Sequence, residues 1–241
     1  MGNNPRWKLV WQDEFDYEGH PDPAKWGYEE GFVRNSEKQY YTKERLKNAR
    51  VENGLLIIEG HKEPYLGAEY TSASLITRDT VSWQFGRIEV RAKLPQGQGV
   101  WPAIWMMGVN RSEVGWPACG EIDIMEYVAH LPDLIHGTAH YLNHGVLETQ
   151  SGNLQVPQPF NDFHVYAVEW FPDRLDFCLD DQKYHSIPIA YIENEGSNPF
   201  HKPFYLLINL ALGGSWGGEI DDQIFPQQYL IDYVRVYKAT E

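Results

Sequence analysis

The chain has 241 residues, with 9 Trp, 15 Tyr and 10 Phe, a formal net charge of −14 and a pI of about 5.0. The acidic balance and the lack of any basic run exclude a duplex or other polyanion as partner and favour a neutral polymer over a sulfated one. The length suits a single domain, 1–241, with a sizeable core, and no apolar run is long enough for a membrane helix.

Along the chain, short alternating runs are separated by Gly, Pro, Asn and Asp, the pattern of an all-β protein. The opening MGNNPRWKLVW has no apolar segment of the kind a secretory leader carries. The expectation is a mature fragment of a secreted protein bearing an added Met, with an internal protein as the alternative. Helical periodicity is nearly absent, with single turns expected around residues 21–26 or 43–48. VENGLLIIEGHK places an Asn-Gly turn before an apolar strand. In WQFGRIEVRAKLP, Ile88, Val90, Ala92 and Leu94 face a core, while Arg87, Glu89, Arg91 and Lys93 are expected to face solvent.

GEIDIMEYV, residues 120–128, begins as a strand with Glu121 and Asp123 on one face and slips before Glu126. A β-bulge at Ile124–Met125 would cancel the slip and return Glu126 to the acidic face. Two Glu about four strand steps apart, roughly 13 Å between Cα atoms, could lean their carboxyls to about 5–6 Å, the spacing of a retaining glycosidase. Asp123 between them would raise a neighbour's proton affinity. The bland alternative is a solvated face with three acids, although Trp101 and Trp105 in GVWPAIWMMG lie just upstream.

VYAVEWFPDRLDFCLDDQKYHS reads as two strands joined at Phe-Pro-Asp-Arg, FYLLINLALGG as a buried strand and YLIDYVRVYK as the last. Many strands with few helices suggest a two-sheet antiparallel sandwich, specifically a jelly roll. Cys119 and Cys178 have no metal-type spacing and read as free, buried thiols rather than a disulfide.

Glu121-Ile122-Asp123-Ile124-Met125-Glu126, preceded by WPAIWMM at 101–107, resembles glycoside hydrolase family 16. LVWQDEFD at 9–16, NSEKQYYT at 35–42, TRDTVSWQFGRIEVRAKLP at 77–95, GTAHY at 137–141 and the closing YLIDYVRVYK extend the resemblance over nearly the whole chain. It implies a β-jelly-roll sandwich with a sugar cleft on its concave sheet and retaining endo-hydrolysis of β-glycans. The inserted Met125 resembles the laminarinase branch, although some agarases and carrageenases share the bulge.

Carried over by position, Glu121 resembles the nucleophile, Glu126 the acid/base and Asp123 the assisting carboxylate. Trp101, Trp105 and Trp216 resemble cleft tryptophans that stack on sugar rings, with a structural plug as the alternative for Trp216. Asn35 and Arg78 resemble polar contacts on the glycone side, against a hydrogen-bonded turn and a surface ion pair. His140 resembles a residue orienting a substrate hydroxyl or Asp123, with a core histidine as the alternative. Of Tyr40 and Tyr41, one is expected in the core and one at the cleft. The resemblance also implies a structural calcium at Glu14, Gly54 and Asp232, while catalysis takes no cofactor. Phe32 and Val33 depart from the Gly- and Trp-rich loop of many laminarinases.

The expected activity is endo-hydrolysis of β-1,3 linkages in laminarin-like glucans, extending to mixed-linkage glucans, by a monomer with no nucleic-acid or membrane partner. A galactan such as agar on the same fold, or a non-catalytic β-glucan-binding module, are the alternatives. Retention of all three acids argues against the module.

Overall fold

The computed structural model describes residues 6–240; the first five residues of the opening stretch MGNNPRWKLVW lie outside them. In chain order the strands are β1 (Arg6–Asp13), β2 (Gly27–Tyr28), β3 (Gln39–Tyr41), β4 (Ala49–Glu52), β5 (Leu55–Tyr65) and β6 (Ala68–Ser72). There follow β7 (Ser74–Ile76), β8 (Gly86–Lys93), β9 (Val100–Gly108), β10 (Glu121–Glu126), β11 (Leu134–Asn143) and β12 (Val146–Gln155). The last are β13 (His164–Trp170), β14 (Arg174–Leu179), β15 (Gln182–Pro188), β16 (Phe204–Leu212) and β17 (Gln227–Thr240).

One sheet has ten strands in the order β15-β14-β13-β8-β17-β5-β6-β3, with β1 added on β17 and β4 on β5. The other has seven, β12-β11-β10-β9-β16-β7-β2. Pairing is antiparallel except between β3 and β6. The fold is a two-sheet jelly-roll sandwich, as the alternation implied.

Between the sheets lies a continuous apolar core. Ile88, Val90 and Ala92 of β8 meet it from one side, and Ile104, Met106, Ile122, Leu206 and Ile208 from the other. Each of the Ile, Val, Leu and Met side chains contributes about 1.5–3 kcal/mol on burial. The Asn-Gly turn forms as expected: Asn53 (φ 54°) and Gly54 (φ 76°) join β4 to β5 in two left-handed residues. Single turns close at Trp26 N–H to Asp22 O (2.8 Å) and Ala49 N–H to Arg45 O (3.0 Å).

Two expectations fail. Arg87 and Glu89 are 6% and 8% exposed rather than solvated. β8 lies inside the ten-stranded sheet, where Glu169, Asp181 and Tyr237 close over them. The segment read as two strands is three, because Asp180 (φ 48°) and Asp181 (φ 64°) make a hairpin turn into β15. Aspartate tolerates that conformation, and without a glycine the turn is silent in the sequence. Cys119 and Cys178 are free and buried.

Candidate active site

The slip in GEIDIMEYV is a bulge at the expected residues. On β11, Asp123 pairs with Thr138 and Glu126 with His136, so Ile124 and Met125 together face Gly137. Against β9 the register shifts at the same place. Both bulge side chains enter the core, at 1% and 0% exposure. Gly137 leaves room, since a Cβ there would lie 2.6 Å from Phe177 Cδ1 and from Tyr184 Oη.

Glu121, Asp123 and Glu126 consequently share the outer face of the seven-stranded sheet with Trp101 and Trp105. They line an open groove of about 1210 Å³, joined by Asn35, Trp116, Thr138, His140 and Trp216. Strand β11 sets His136, Thr138 and His140 directly opposite Glu126, Asp123 and Glu121. β9 and β16 are buried on both faces, because this groove wall covers the side a two-layer sandwich would leave wet.

Each acid has its own environment. Glu126 Oε1 accepts from Trp101 Nε1 (3.0 Å). Burial pushes its pKa up to about 7; the Trp101 bond opposes this, and the charges of Glu121 and Glu37 add to it. Asp123 is 3% exposed, and burial, then the charges of Glu121 and Glu126, hold its carboxyl well above the usual range. Its Oδ2 has no hydrogen-bond partner among the described residues, and His140 Nε2 stands 3.4 Å away. Glu121 Oε2 accepts from Trp116 Nε1 at 2.5 Å.

The expected tryptophans take more specific positions than stacking alone. Trp101 and Trp105 are almost fully buried in the groove floor. Trp105 Nε1 donates to Asn209 Oδ1 (2.7 Å), and Arg34 lies 4.7 Å over its ring. Asn209 Nδ2 donates to the Tyr41 hydroxyl (2.9 Å), which donates to Glu37 Oε2 (3.1 Å). Asn35 Nδ2 reaches Glu37 Oε1 at 3.3 Å, and its carbonyl accepts from Ser215 N–H (2.8 Å), so it is both groove wall and turn. That bond ties down the loop bearing Trp216, whose ring edge meets Trp101 at 5.6 Å and His136 at 5.1 Å. Tyr41 is the core member of its pair, while Tyr40 packs against Phe32 and Tyr65 instead of the groove.

His140 is a groove residue, not a core one: Nε2 faces Asp123, and Nδ1 meets Thr149 Oγ1 at 2.9 Å. Arg78 lies beyond the groove around the acids. It lines an adjoining hollow with Arg111 and Tyr205, paired loosely with Asp79 at 3.7 Å.

Calcium was expected at Glu14, Gly54 and Asp232. The register gathers Glu14, Gly54 and Asp232 near one end of the ten-stranded sheet. The carboxylates, however, are engaged by arginines: Glu14 bidentately by Arg235 (2.8 Å each) and Asp232 by Arg91 (2.5 Å). Paired in this way, the two carboxylates offer an ion little, and backbone carbonyls such as that of Gly54 are the oxygens left to ligate one.

Trp116, His136 and Asn209 were not singled out from the sequence, and Glu37 entered only as part of NSEKQYYT. For Trp116 a signal existed, a Trp-Pro pair five residues before Glu121. The others come from remote segments, and only folding places them at the groove.

The model of the glycosyl hydrolases family 16 matches residues 36–235. A "Beta-glucanase" of Rhodothermus marinus is 49% identical over 98% of this chain and 87% of its own length. A "Glucan endo-1,3-beta-glucosidase" of Cryptopygus antarcticus is 39% identical over 88% and 83%. The solved laminarinase of Rhodothermus marinus superimposes with a TM-score of 0.92 at 48% identity, covering 98% of this chain and 99% of that one.

Proposed function

This chain belongs to glycosyl hydrolases family 16, and on that premise we propose that it is a retaining endo-β-1,3-glucanase acting on laminarin-like glucans. Mixed-linkage β-1,3-1,4 glucans are included in the proposal. The reading is carried by the Ile124–Met125 bulge, which sets three acids in one groove, with the proton affinity of Asp123 and Glu126 raised.

In the proposed mechanism the Glu121 carboxylate attacks the anomeric carbon and forms a glycosyl-enzyme bond. Trp116 N–H fixes its outer oxygen. Asp123 keeps its proton and lends it to Glu121 as a hydrogen bond, so the two do not repel as adjacent anions. Glu126, protonated below about pH 7, gives its proton to the leaving oxygen and then takes one from the attacking water. Trp101 N–H holds that carboxyl in place through both steps. No cofactor enters. The calcium suggested by Glu14, Gly54 and Asp232 is no part of the proposal, because their carboxylates are neutralised by arginines.

Endo action is supported by the groove's continuation at both ends. Arg111 is shared with the Arg78 hollow, and Trp216 with one of about 1080 Å³ lined by Tyr127 and Phe160. A polymer that cannot cross a membrane also argues for work outside the cytoplasm. No helix among the described residues is long and apolar enough to span a bilayer.

Product analysis on laminarin, lichenan and agarose side by side tests the proposal. Laminarin cut to short oligosaccharides with retained anomeric configuration is expected. Cleavage of agarose alone would overturn the substrate, and inverted products the mechanism.

A further inference from the structure

Three ligand atoms of different chemistry converge at the nucleophile end of the groove. One atom each from Glu121, Asp123 and His140 lies within 4.8 Å of the other two. The 3.4 Å between His140 Nε2 and Asp123 Oδ2 is the separation expected of two neighbours in a tetrahedral metal shell, about 3.3–3.6 Å for bonds of about 2.0–2.2 Å. Asp123 Oδ2 is buried without a hydrogen-bond partner among the described residues and faces this point. His140 is prepared as a metal ligand would be, its Nδ1 held by Thr149 Oγ1 and its Nε2 presented inward. Trp116 takes one oxygen of Glu121, and an ion here takes the place of the proton that Asp123 shares with the other. The groove, open to solvent, supplies an entry path and a free fourth position.

We propose that Glu121, Asp123 and His140 form an inhibitory site for a divalent transition metal of the Zn²⁺ or Cu²⁺ class. One imidazole with two carboxylates suits such ions, and the low ligand number with mixed N and O donors disfavours Ca²⁺. An ion there occupies the Glu121 carboxylate and stands where the reacting sugar must sit. The inhibitory consequence rests on the glucanase reading; the binding itself does not.

The test is calorimetric titration of Zn²⁺ into the metal-free whole chain, with Co²⁺ absorption as reporter of tetrahedral geometry. One Zn²⁺ per chain is expected. Loss of the imidazole in His140→Gln should weaken binding more than about tenfold, and Thr149→Val, which frees Nδ1, about tenfold. His164→Gln, whose imidazole pairs with Asp180 elsewhere, serves as control and should bind as the parent does. Thermal melts verify folding, and should His140→Gln not fold, Glu121→Gln carries the same comparison. No uptake at millimolar Zn²⁺, or equal uptake by parent and both ligand variants, would overturn the proposal. Zinc should also inhibit laminarin hydrolysis, with more than about tenfold more zinc needed in His140→Gln. If laminarin is not a substrate, calorimetry still decides the site.

Discussion

Replacing Glu126 by Gln should remove turnover of laminarin and, at alkaline pH, stabilise the fold. The carboxyl's ordinary pKa of 4.5 rises to about 7 in the folded chain, burial being the largest cause. A folded-state pKa above the unfolded one means the folded protein binds the proton more tightly. The contribution to stability is therefore fully present below about pH 4.5 and is lost as pH rises through 7. Above pH 7 the ionised Glu126 costs the fold roughly 3 kcal/mol, at about 1.4 kcal/mol per pH unit. Gln carries no charge at any pH and still offers an oxygen to Trp101 Nε1. For a chain of this size the gain corresponds to a rise of very roughly 5–12 °C in Tm at pH 8. At pH 4.5 the two proteins should melt nearly together. Melting curves of parent and variant at the two pH values measure this directly. A variant less stable than the parent at pH 8, or a difference independent of pH, would refute the argument that burial loads Glu126 with its proton.

Trp101→Phe removes the hydrogen bond that opposes the raised pKa of Glu126, so the alkaline limb of kcat/KM should move upward. A bond to a charged group is worth about 1.5–3 kcal/mol, so the move should be roughly one to two pH units, read from a pH–rate profile. Glu121→Gln should abolish turnover while glucan binding and Tm remain near the parent's, checked by pull-down and thermal melt. Gly137→Ala should cost about 1–3 kcal/mol in denaturant titration, because its Cβ would meet Phe177 and Tyr184 beneath the bulge.

Sequence periodicity alone determined the sandwich, the Asn53–Gly54 hairpin and the acidic face of β10. The bulge was legible because side-chain alternation in a strand has a period of two. A slip of one residue between Asp123 and Glu126 can be repaired only by an extra residue. Tertiary structure decided what surrounds those acids. Asp123 is buried because Thr138 and His140 arrive from β11, and Glu126 is held by a tryptophan 25 residues upstream. The same packing buried the Arg87–Glu89 face that alternation assigned to water, and it turned Glu14 and Asp232 toward arginines. Local chemistry fixes which way a side chain points. Its proton affinity and partners depend on groups distant in sequence, and those exist around it only once the two sheets have closed.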